Sequence, residues 1–490
     1  MNPSGALVLL RYSGEISIKA RPTRLHFVRR LTQNVRDALS SEGITPQVRS
    51  THDRVFVELP RGADPALLSR VFGVQSVAPV ERRAGTSLEE IVCAGEALFR
   101  ERVAGRRFAV RARRVGNRGA IRVSAREVER ALGAALLPHS AGVDLDAPEL
   151  TARVELTADE TYFFPESVPG HAGLPVGVEG RAVALISGGF DSAVAAWHVL
   201  KRGVALDYVF ANLGGATHLQ GTLRVAKVLA DRWSYGERPR FHVVDFGAVG
   251  ADLQEHCEAR YRQVVLKRLM LRAAEAVARE RKAFGIVTGE ALGQVSSQTL
   301  KNLAAISPAT SLAILRPLIG SNKEEIIDRA MKIGTYDLSK VVGEYCALVP
   351  RKPATAATLS QVVAQEARLD ASLLERAVEE REVFDLRDLD LEKLELPELE
   401  IERIPEGATV LDLRGKAEYA TWHYPGALRM NFTQAMAGYA SFDKGQHYVL
   451  YCEIGLKSAH LAELMRAGGF QAHHFRGGSR DLRRRTESGR

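Results

Sequence analysis

The stretch Ala184-Leu185-Ile186-Ser187-Gly188-Gly189-Phe190-Asp191-Ser192 decides how this chain is read. An apolar run over 182–186 has the character of a buried strand. From Ala193 to about Lys201 the apolar spacing is helical, and Gly203 suits the stop. Between strand and helix lies a tight turn of two glycines flanked by two serines. Such a turn aims backbone N–H groups and a helix N-terminus at one point, which suits a phosphate. No Gly-Lys-Ser/Thr follows at Walker A spacing, so that class of nucleotide loop is excluded. The bland alternative is a glycine turn at an ordinary strand–helix junction. Two Ser, two Gly and an Asp in register after a strand favour the phosphate.

Outward from this turn, strands and helices alternate. Residues 204–211, 241–246, 284–288 and 312–315 read as strands, and 219–233, 253–281 and 324–333 as helices. Ser321 and Glu324 have capping-box spacing before the last helix. This rhythm predicts a mainly parallel sheet with helices on both faces. Ligands of such sheets bind beyond the C-terminal strand ends, where the 187–192 turn would lie. Ser-Gly-Gly-x-Asp-Ser after a strand resembles the pyrophosphate loop of the PP-loop ATP pyrophosphatases, enzymes that adenylate a carbonyl oxygen and release pyrophosphate.

The chain has 490 residues, too many for one core, so three or four domains are expected. Apolar residues make up 46% and charged residues 26%, which places it with globular proteins rather than disordered ones. No apolar run reaches the roughly 18 residues that span a bilayer. Arg11 and Glu15 interrupt the first apolar stretch, unlike a signal peptide, so a cytoplasmic location and no membrane partner are expected. Cysteines at 93, 257, 346 and 452 are too few for a disulfide framework. Cys93 and Cys257 sit in apolar helical patterns and read as core thiols. The net charge of +8 permits a polyanionic partner without identifying one.

The N-terminal part divides at about residue 60. Residues 8–12 and 55–59 read as strands, 25–39 as a helix, and 14–19 as a loop with basic Lys19. On these residues alone, a small α+β domain with solvated charges and a binding role are equally open. Residues 61–167 are richer in arginine. The strand-like run 108–115 places Arg111 and Arg113 on one face. Arg100, Arg106, Arg114, Arg118 and Arg122 surround it with few acids between, a pattern that favours phosphate contact over a merely solvated face. Ser124 and Glu127 have capping-box spacing.

A seam rich in proline and glycine over 165–180 precedes the parallel sheet, and an acidic, helical tract over 363–406 follows it. The last domain begins near Ile404, with strands at 410–414 and 447–451. Cys452 directly follows the second of these, and Glu453-Ile454-Gly455-Leu456-Lys457-Ser458 leads into a helix that stops at Gly468-Gly469. A thiol there faces converging N–H groups and a helix N-terminus, which favour a thiolate or persulfide. Asp412-x-Arg414, His423-Tyr424-Pro425-Gly426 and the Cys452 loop resemble a rhodanese domain, which carries sulfane sulfur as a cysteine persulfide. Many rhodanese loops have Arg directly after the cysteine, whereas this chain has Glu453. Cys346 lies in a segment that Pro350 and Pro353 make irregular, and a lone loop cysteine carries no assignment by itself.

Taken together, these motifs resemble the tRNA 4-thiouridine synthetase family, in its long form with a fused rhodanese domain, over nearly the whole chain. The resemblance implies an α/β multidomain fold: a ferredoxin-like α+β domain (1–60), a THUMP RNA-binding domain (61–167), a PP-loop ATP pyrophosphatase domain (168–385), an acidic linker (386–403) and a rhodanese domain (404–490). It implies ATP contacts from Leu185, Ile186, Ser187, Gly188, Gly189, Ser192, Lys267, Gly289 and Gln298. It further implies that Asp191 and Lys323 support adenylation, with Mg2+ entering alongside ATP and no permanently bound cofactor. Cys452 would be the persulfide carrier and Cys346 the second catalytic cysteine, the two forming a disulfide during turnover. Arg111, Arg113, Arg118 and Lys19 are the RNA-facing candidates. The implied partners are tRNA, a cysteine desulfurase and a thiamine sulfur-carrier protein; a homodimer is compatible with the resemblance.

The activity so implied is ATP-dependent transfer of sulfur to uridine 8 of tRNA, with a second role in forming the thiamine thiazole. Two other readings stay open on the sequence. One is an RNA-tethered persulfide relay whose nucleotide loop only senses ATP, against which Asp191 and Lys323 argue. The other is an amidating adenylation enzyme, which has no need of a fused persulfide domain.

Overall fold

The computed structural model describes residues 5–51, 54–116, 118–213, 215–340, 342, 352–391, 399–453 and 455–488. The chain forms two compact units. The first takes residues 1–180, 200–205 and 232–237; the second takes 181–199, 206–231 and 238–490.

The first unit holds two five-stranded sheets. In one, β1 (Ala6–Tyr12) lies between β3 (Arg54–Leu59) and β4 (Val74–Pro79), with β2 (Gln47–Ser50) and β10 (Val168–Pro169) at the edges. Among the described residues its strand pairings are antiparallel. Helix Arg21–Ser41 presents Phe27, Val28, Leu31, Val35 and Leu39 at helical spacing and buries them against the sheet. β4 lies beyond the boundary expected at residue 60, so this sheet draws on sequence from both sides of it. Residues 14–17 form a short helix rather than a loop.

The second sheet has the order β5-β9-β8-β6-β7. Its strands are β5 (Arg82–Ala84), β6 (Arg107–Arg114), β7 (Gly142–Val143), β8 (Leu150–Leu156) and β9 (Thr161–Phe164). β6 runs parallel to β8. Helices Leu88–Phe99 and Ala125–Leu136 pack on it, each opened by a full capping box, Ser87/Glu90 and Ser124/Glu127. Gly95 lets the two helices approach: a Cβ there would meet both methyls of Leu132 at 2.8 Å. Cys93 is exposed on its helix, contrary to the expected core thiol. Glu155, 1% exposed, ties the two sheets together. It accepts from Arg54 at 2.8 and 2.9 Å and from Arg11 at 2.8 Å.

The second unit contains the expected parallel sheet, ordered β15-β14-β11-β12-β13-β16. Its strands are β11 (Arg181–Leu185), β12 (Ala205–Asn212), β13 (Arg240–Asp245), β14 (Gly285–Val287), β15 (Ala313–Leu315) and β16 (Glu382–Asp385). β16 pairs antiparallel with β13, from Arg240↔Asp385 to Val243↔Glu382, so part of the tract expected to be helical is an edge strand. The central strands are nearly all apolar, as burial on both faces demands. Helix Arg262–Glu280 covers one face through Val264, Val265, Leu269, Ala273 and Val277.

The helix expected over 253–281 is two helices, Gly247–His256 and Arg262–Glu280. The break is held by tertiary contact, since the Glu258 N–H donates to Gln365 Oε1 at 2.9 Å and Gln365 Nε2 donates back to Glu258 at 2.9 Å. The capping box before helix Lys323–Ile333 is Asn322/Glu325, one residue later than the expected Ser321/Glu324.

The same unit ends in an all-parallel five-stranded sheet, β17-β21-β20-β18-β19. Here β17 is Glu400–Ile401, β18 Thr409–Asp412, β19 Leu428–Arg429, β20 His447–Tyr451 and β21 Gln471–Phe475. Helix Leu456–Ala467 packs on β20 and β21. Among the described residues no helix is long and apolar enough to cross a membrane.

Candidate active site and sulfur-bearing loop

The glycine turn leaves the C-terminal end of β11. The Ser187 N–H donates to Ser192 Oγ at 3.2 Å, and Ser192 Oγ donates to the Gly189 carbonyl at 3.1 Å. The first helical turn therefore folds back on the strand end and fixes the loop. Gly188 has φ +77, and a Cβ there would meet Thr222 Oγ1 at 2.8 Å and Val342 Cγ1 at 2.7 Å. Glycine is required twice over, by backbone conformation and by space.

A cavity of about 310 Å³ opens beside this turn. Leu185, Ile186, Phe210, Ala211, Leu266 and Met270 give it an apolar wall. Ser187, Gly189, Asp191, Ser192, Lys267, Gly289 and Gln298 give it polar lining. The residues that the resemblance marked between 185 and 298 thus line one cavity, Gly188 excepted; Lys323 does not line it but reaches Asp191, which does. A flat heterocycle suits the apolar wall, and an anionic tail suits the turn and its helix N-terminus.

Two charge clusters frame the cavity. Asp191 accepts from Lys323 Nζ at 2.9 Å and from Gln294 Nε2 at 2.8 Å. Glu290, 5% exposed, accepts from Lys267 Nζ at 3.1 Å, Arg316 Nε at 2.7 Å and Thr288 Oγ1 at 3.0 Å. Burial opposes ionisation of Glu290, but Lys267 and Arg316 outweigh it and hold the carboxyl below its ordinary range. Lys267 is thereby aimed into the cavity rather than solvated on its helix. A Cβ on Gly289 would meet the backbone of Asp191 and Ser192 at 2.7 Å, so the loop after β14 lies directly on the turn. Gln298 is 7% exposed and its Oε1 has no hydrogen-bond partner among the described residues, an acceptor open to a bound molecule.

Sequence reasoning did not assign roles to Glu290, Gln294 or His218. His218 lines the cavity with Nε2 3.2 Å from the Ser187 carbonyl. Burial pushes its pKa down to about 4, so the ring is neutral at pH 7. Nothing local marks it, because its partner lies 31 residues away.

In the last sheet Cys452 directly follows β20 and is fully buried. Ser458 Oγ lies 3.6 Å from its Sγ, and the Ser479 N–H donates to its carbonyl at 2.8 Å. Below the loop, Asp412 accepts from Arg414 Nε at 2.9 Å and from the Tyr451 hydroxyl at 2.6 Å, a buried brace for the strand end that carries the thiol. Cys346 lies outside the described residues.

Of the RNA-facing candidates, Arg111 and Arg113 are exposed on one face of β6, and Arg111 donates to the Leu145 carbonyl. Lys19 Nζ sits 5.6 Å over the Phe27 ring. Arg118 opens a short helical turn, and its side chain lies outside the described residues.

The chain is similar to a tRNA sulfurtransferase of Desulfurococcus amylolyticus, with 38% identity over 96% of this chain and 97% of that one. It belongs to the tRNA sulfurtransferase family. A family member from Pectobacterium atrosepticum is 36% identical over 94% of this chain and 98% of its own. Family descriptions match in order: ThiI ferredoxin-like domain at 7–78, THUMP domain at 85–164, Thiamine biosynthesis protein (ThiI) at 177–371 and Rhodanese-like domain at 398–484. A solved 4-thiouridine synthetase–RNA complex with bound ATP is 29% identical, with TM-score 0.68, over 77% of this chain and 99% of that one. The ferredoxin-like, THUMP, PP-loop and rhodanese architecture read from the sequence is therefore that of this family.

Proposed function

We propose that this enzyme activates uridine 8 of tRNA with ATP and replaces O4 by sulfur delivered from Cys452, giving 4-thiouridine. The observation that carries the reading is the single cavity in which an apolar wall, the glycine turn, Asp191 and Lys267 come together. The base's O4 attacks the α-phosphorus of ATP, an O–P bond forms, and pyrophosphate leaves. The turn's N–H groups and Lys267 stabilise charge on the phosphates, while Leu185, Ile186, Gly289 and Gln298 hold the rest of the nucleotide. Asp191, oriented by Lys323 and Gln294, faces the same space.

Among the described residues no cluster of three His, Cys, Asp or Glu could hold a metal alone. A single carboxylate suits Mg2+ that arrives already bound to phosphate oxygens, and Asp191 is the residue that would meet it. Its chemistry there would be to draw charge from the departing pyrophosphate.

Sulfur enters as a persulfide on Cys452, loaded by a cysteine desulfurase. Its terminal sulfur attacks C4 and AMP leaves. The Cys346 thiolate then attacks Cys452 Sγ, which breaks the S–S bond to the product and leaves a Cys346–Cys452 disulfide. Alternatively, Cys346 first frees sulfide, which attacks C4, and the same disulfide remains. An external dithiol reduces it before the next turn. Residues up to about 167 bind the tRNA, with Arg111, Arg113, Arg118 and Lys19 as the candidate contacts. The rhodanese part also hands sulfur to a carrier protein for the thiamine thiazole.

Asp191→Ala tests the activation step. In a strain lacking the native gene, the variant is expected to leave bulk tRNA without 4-thiouridine by nucleoside mass spectrometry. Wild-type levels of 4-thiouridine would refute activation at this site.

A further inference from the structure

The sulfur-bearing domain is seated on the nucleotide domain through a contact that the chemistry above does not use. Helix Gly215–Trp233 starts beyond the C-terminal end of β12, beside the cavity. Its first N–H groups have no partner within the helix. The Ala216 and Thr217 N–H groups donate to Glu463 Oε1 at 2.9 Å and Oε2 at 3.3 Å. Gly215 has φ +73, and a Cβ there would run into the Glu463 carboxylate, so the approach depends on the missing side chain.

Glu463 lies on helix Leu456–Ala467, which begins at the Cys452 loop. His460, one turn earlier on that helix, is 4% exposed and near enough to His218 for the two rings to act on each other electrostatically. Burial holds both near pKa 4, so the two rings do not repel each other as cations at pH 7. Farther along, Arg224 of the helix Gly215–Trp233 adds to the field that keeps Glu400 of β17 ionised, after His474 and Arg476. The seam thus runs from the cavity-lining His218 to the first strand of the sulfur domain.

We propose that Glu463 is a positioning residue for sulfur delivery: by capping helix Gly215–Trp233 it seats the persulfide domain at the rim of the nucleotide cavity, in the orientation from which Cys452 reaches the activated base. This rests on the reading that Cys452 sulfur goes to a base adenylated in that cavity.

The test uses the full-length protein with Glu463→Ala and Glu463→Gln. Four quantities are compared: persulfide loading of Cys452 by mass, tRNA-dependent AMP release, single-turnover transfer from preloaded Cys452 to tRNA, and thiolation driven by added sodium sulfide. Loading, AMP release and sulfide-driven thiolation are expected to match wild type. Transfer from Cys452 is expected to fall about tenfold in Glu463→Ala and less in Glu463→Gln, which keeps one acceptor oxygen. Transfer within twofold of wild type in both variants, or faster than wild type, overturns the proposal. Should either variant fail to load Cys452, Gly215→Ala, which crowds the carboxylate from the other side, is subject to the same criteria. Wild-type protein that releases no AMP would refute the functional reading itself rather than the role of Glu463.

Discussion

Gly289 shows how much of this site rests on a missing atom. Its Cα sits against the backbone of Asp191 and Ser192, and a Cβ would approach both at 2.7 Å. Backbone cannot rotate away as a side chain tip can, so Gly289→Ala must push the β14 loop off the turn. Such displacements misalign a phosphate site by a large fraction of an ångström, and ATP affinity is expected to fall at least about tenfold. Isothermal titration with ATP checks this, and unchanged affinity would contradict it. The turn itself was legible because its signal is local: serines, glycines and an aspartate within six residues. The charge pairings around the cavity were not. Lys323 reaches Asp191 across 132 positions and Arg316 reaches Glu290 across 26, and no spacing rule links them. Those two pairings are products of the folded sheet, and only the resemblance to a family marked Lys323 beforehand.

Between residues and domains, capping and edge pairing set where elements begin and which strands join. Ser321-x-x-Glu324 and Asn322-x-x-Glu325 overlap by one residue, and sequence alone does not choose between them. The folded chain uses Asn322, whose side chain accepts from the Glu325 N–H at 2.9 Å, which makes Lys323 the first helical residue and lets it reach Asp191. β16 was hidden for a different reason: Glu382-Val383-Phe384-Asp385 lies in acidic, helix-prone sequence, and only the open edge of β13 makes it a strand. The Glu290 cluster joins three elements: the loop after β14, helix Arg262–Glu280 and the segment after β15. Glu290→Gln removes the buried carboxylate that Lys267 and Arg316 share as counter-charge. A loss of roughly 3 kcal/mol is expected. Denaturant titration measures it, and an unchanged midpoint would show that the cations are satisfied elsewhere.

At the scale of the whole molecule, buried neutral histidines predict how stability follows pH. Burial pushes His218, His242 and His460 each down to about 4. In the unfolded chain each would titrate near 6.5, so the unfolded state binds more protons between 6.5 and 4. Their stabilising effect is complete above pH 6.5 and is lost as pH falls toward 4, by up to about 3 kcal/mol for each ring. The melting temperature should therefore already drop between pH 7 and about 5.5, before most carboxylates begin to protonate; a flat profile there would contradict the burial of these rings. The two C-terminal domains were legible because each carries a strong local marker, the glycine turn and the Cys452 loop. The composition of the first sheet was not, because β4 and β10 join it from beyond the expected boundary and edge pairing leaves no mark in sequence. The central claim is that nucleotide activation and sulfur transfer act in succession on one base. Its most direct measurement counts AMP and 4-thiouridine from purified protein given tRNA, a desulfurase with cysteine, a dithiol reductant and either ATP or α,β-methylene-ATP. Equal amounts of AMP and 4-thiouridine with ATP, and neither with the analogue, are the predicted result; 4-thiouridine formed with the analogue would contradict the account.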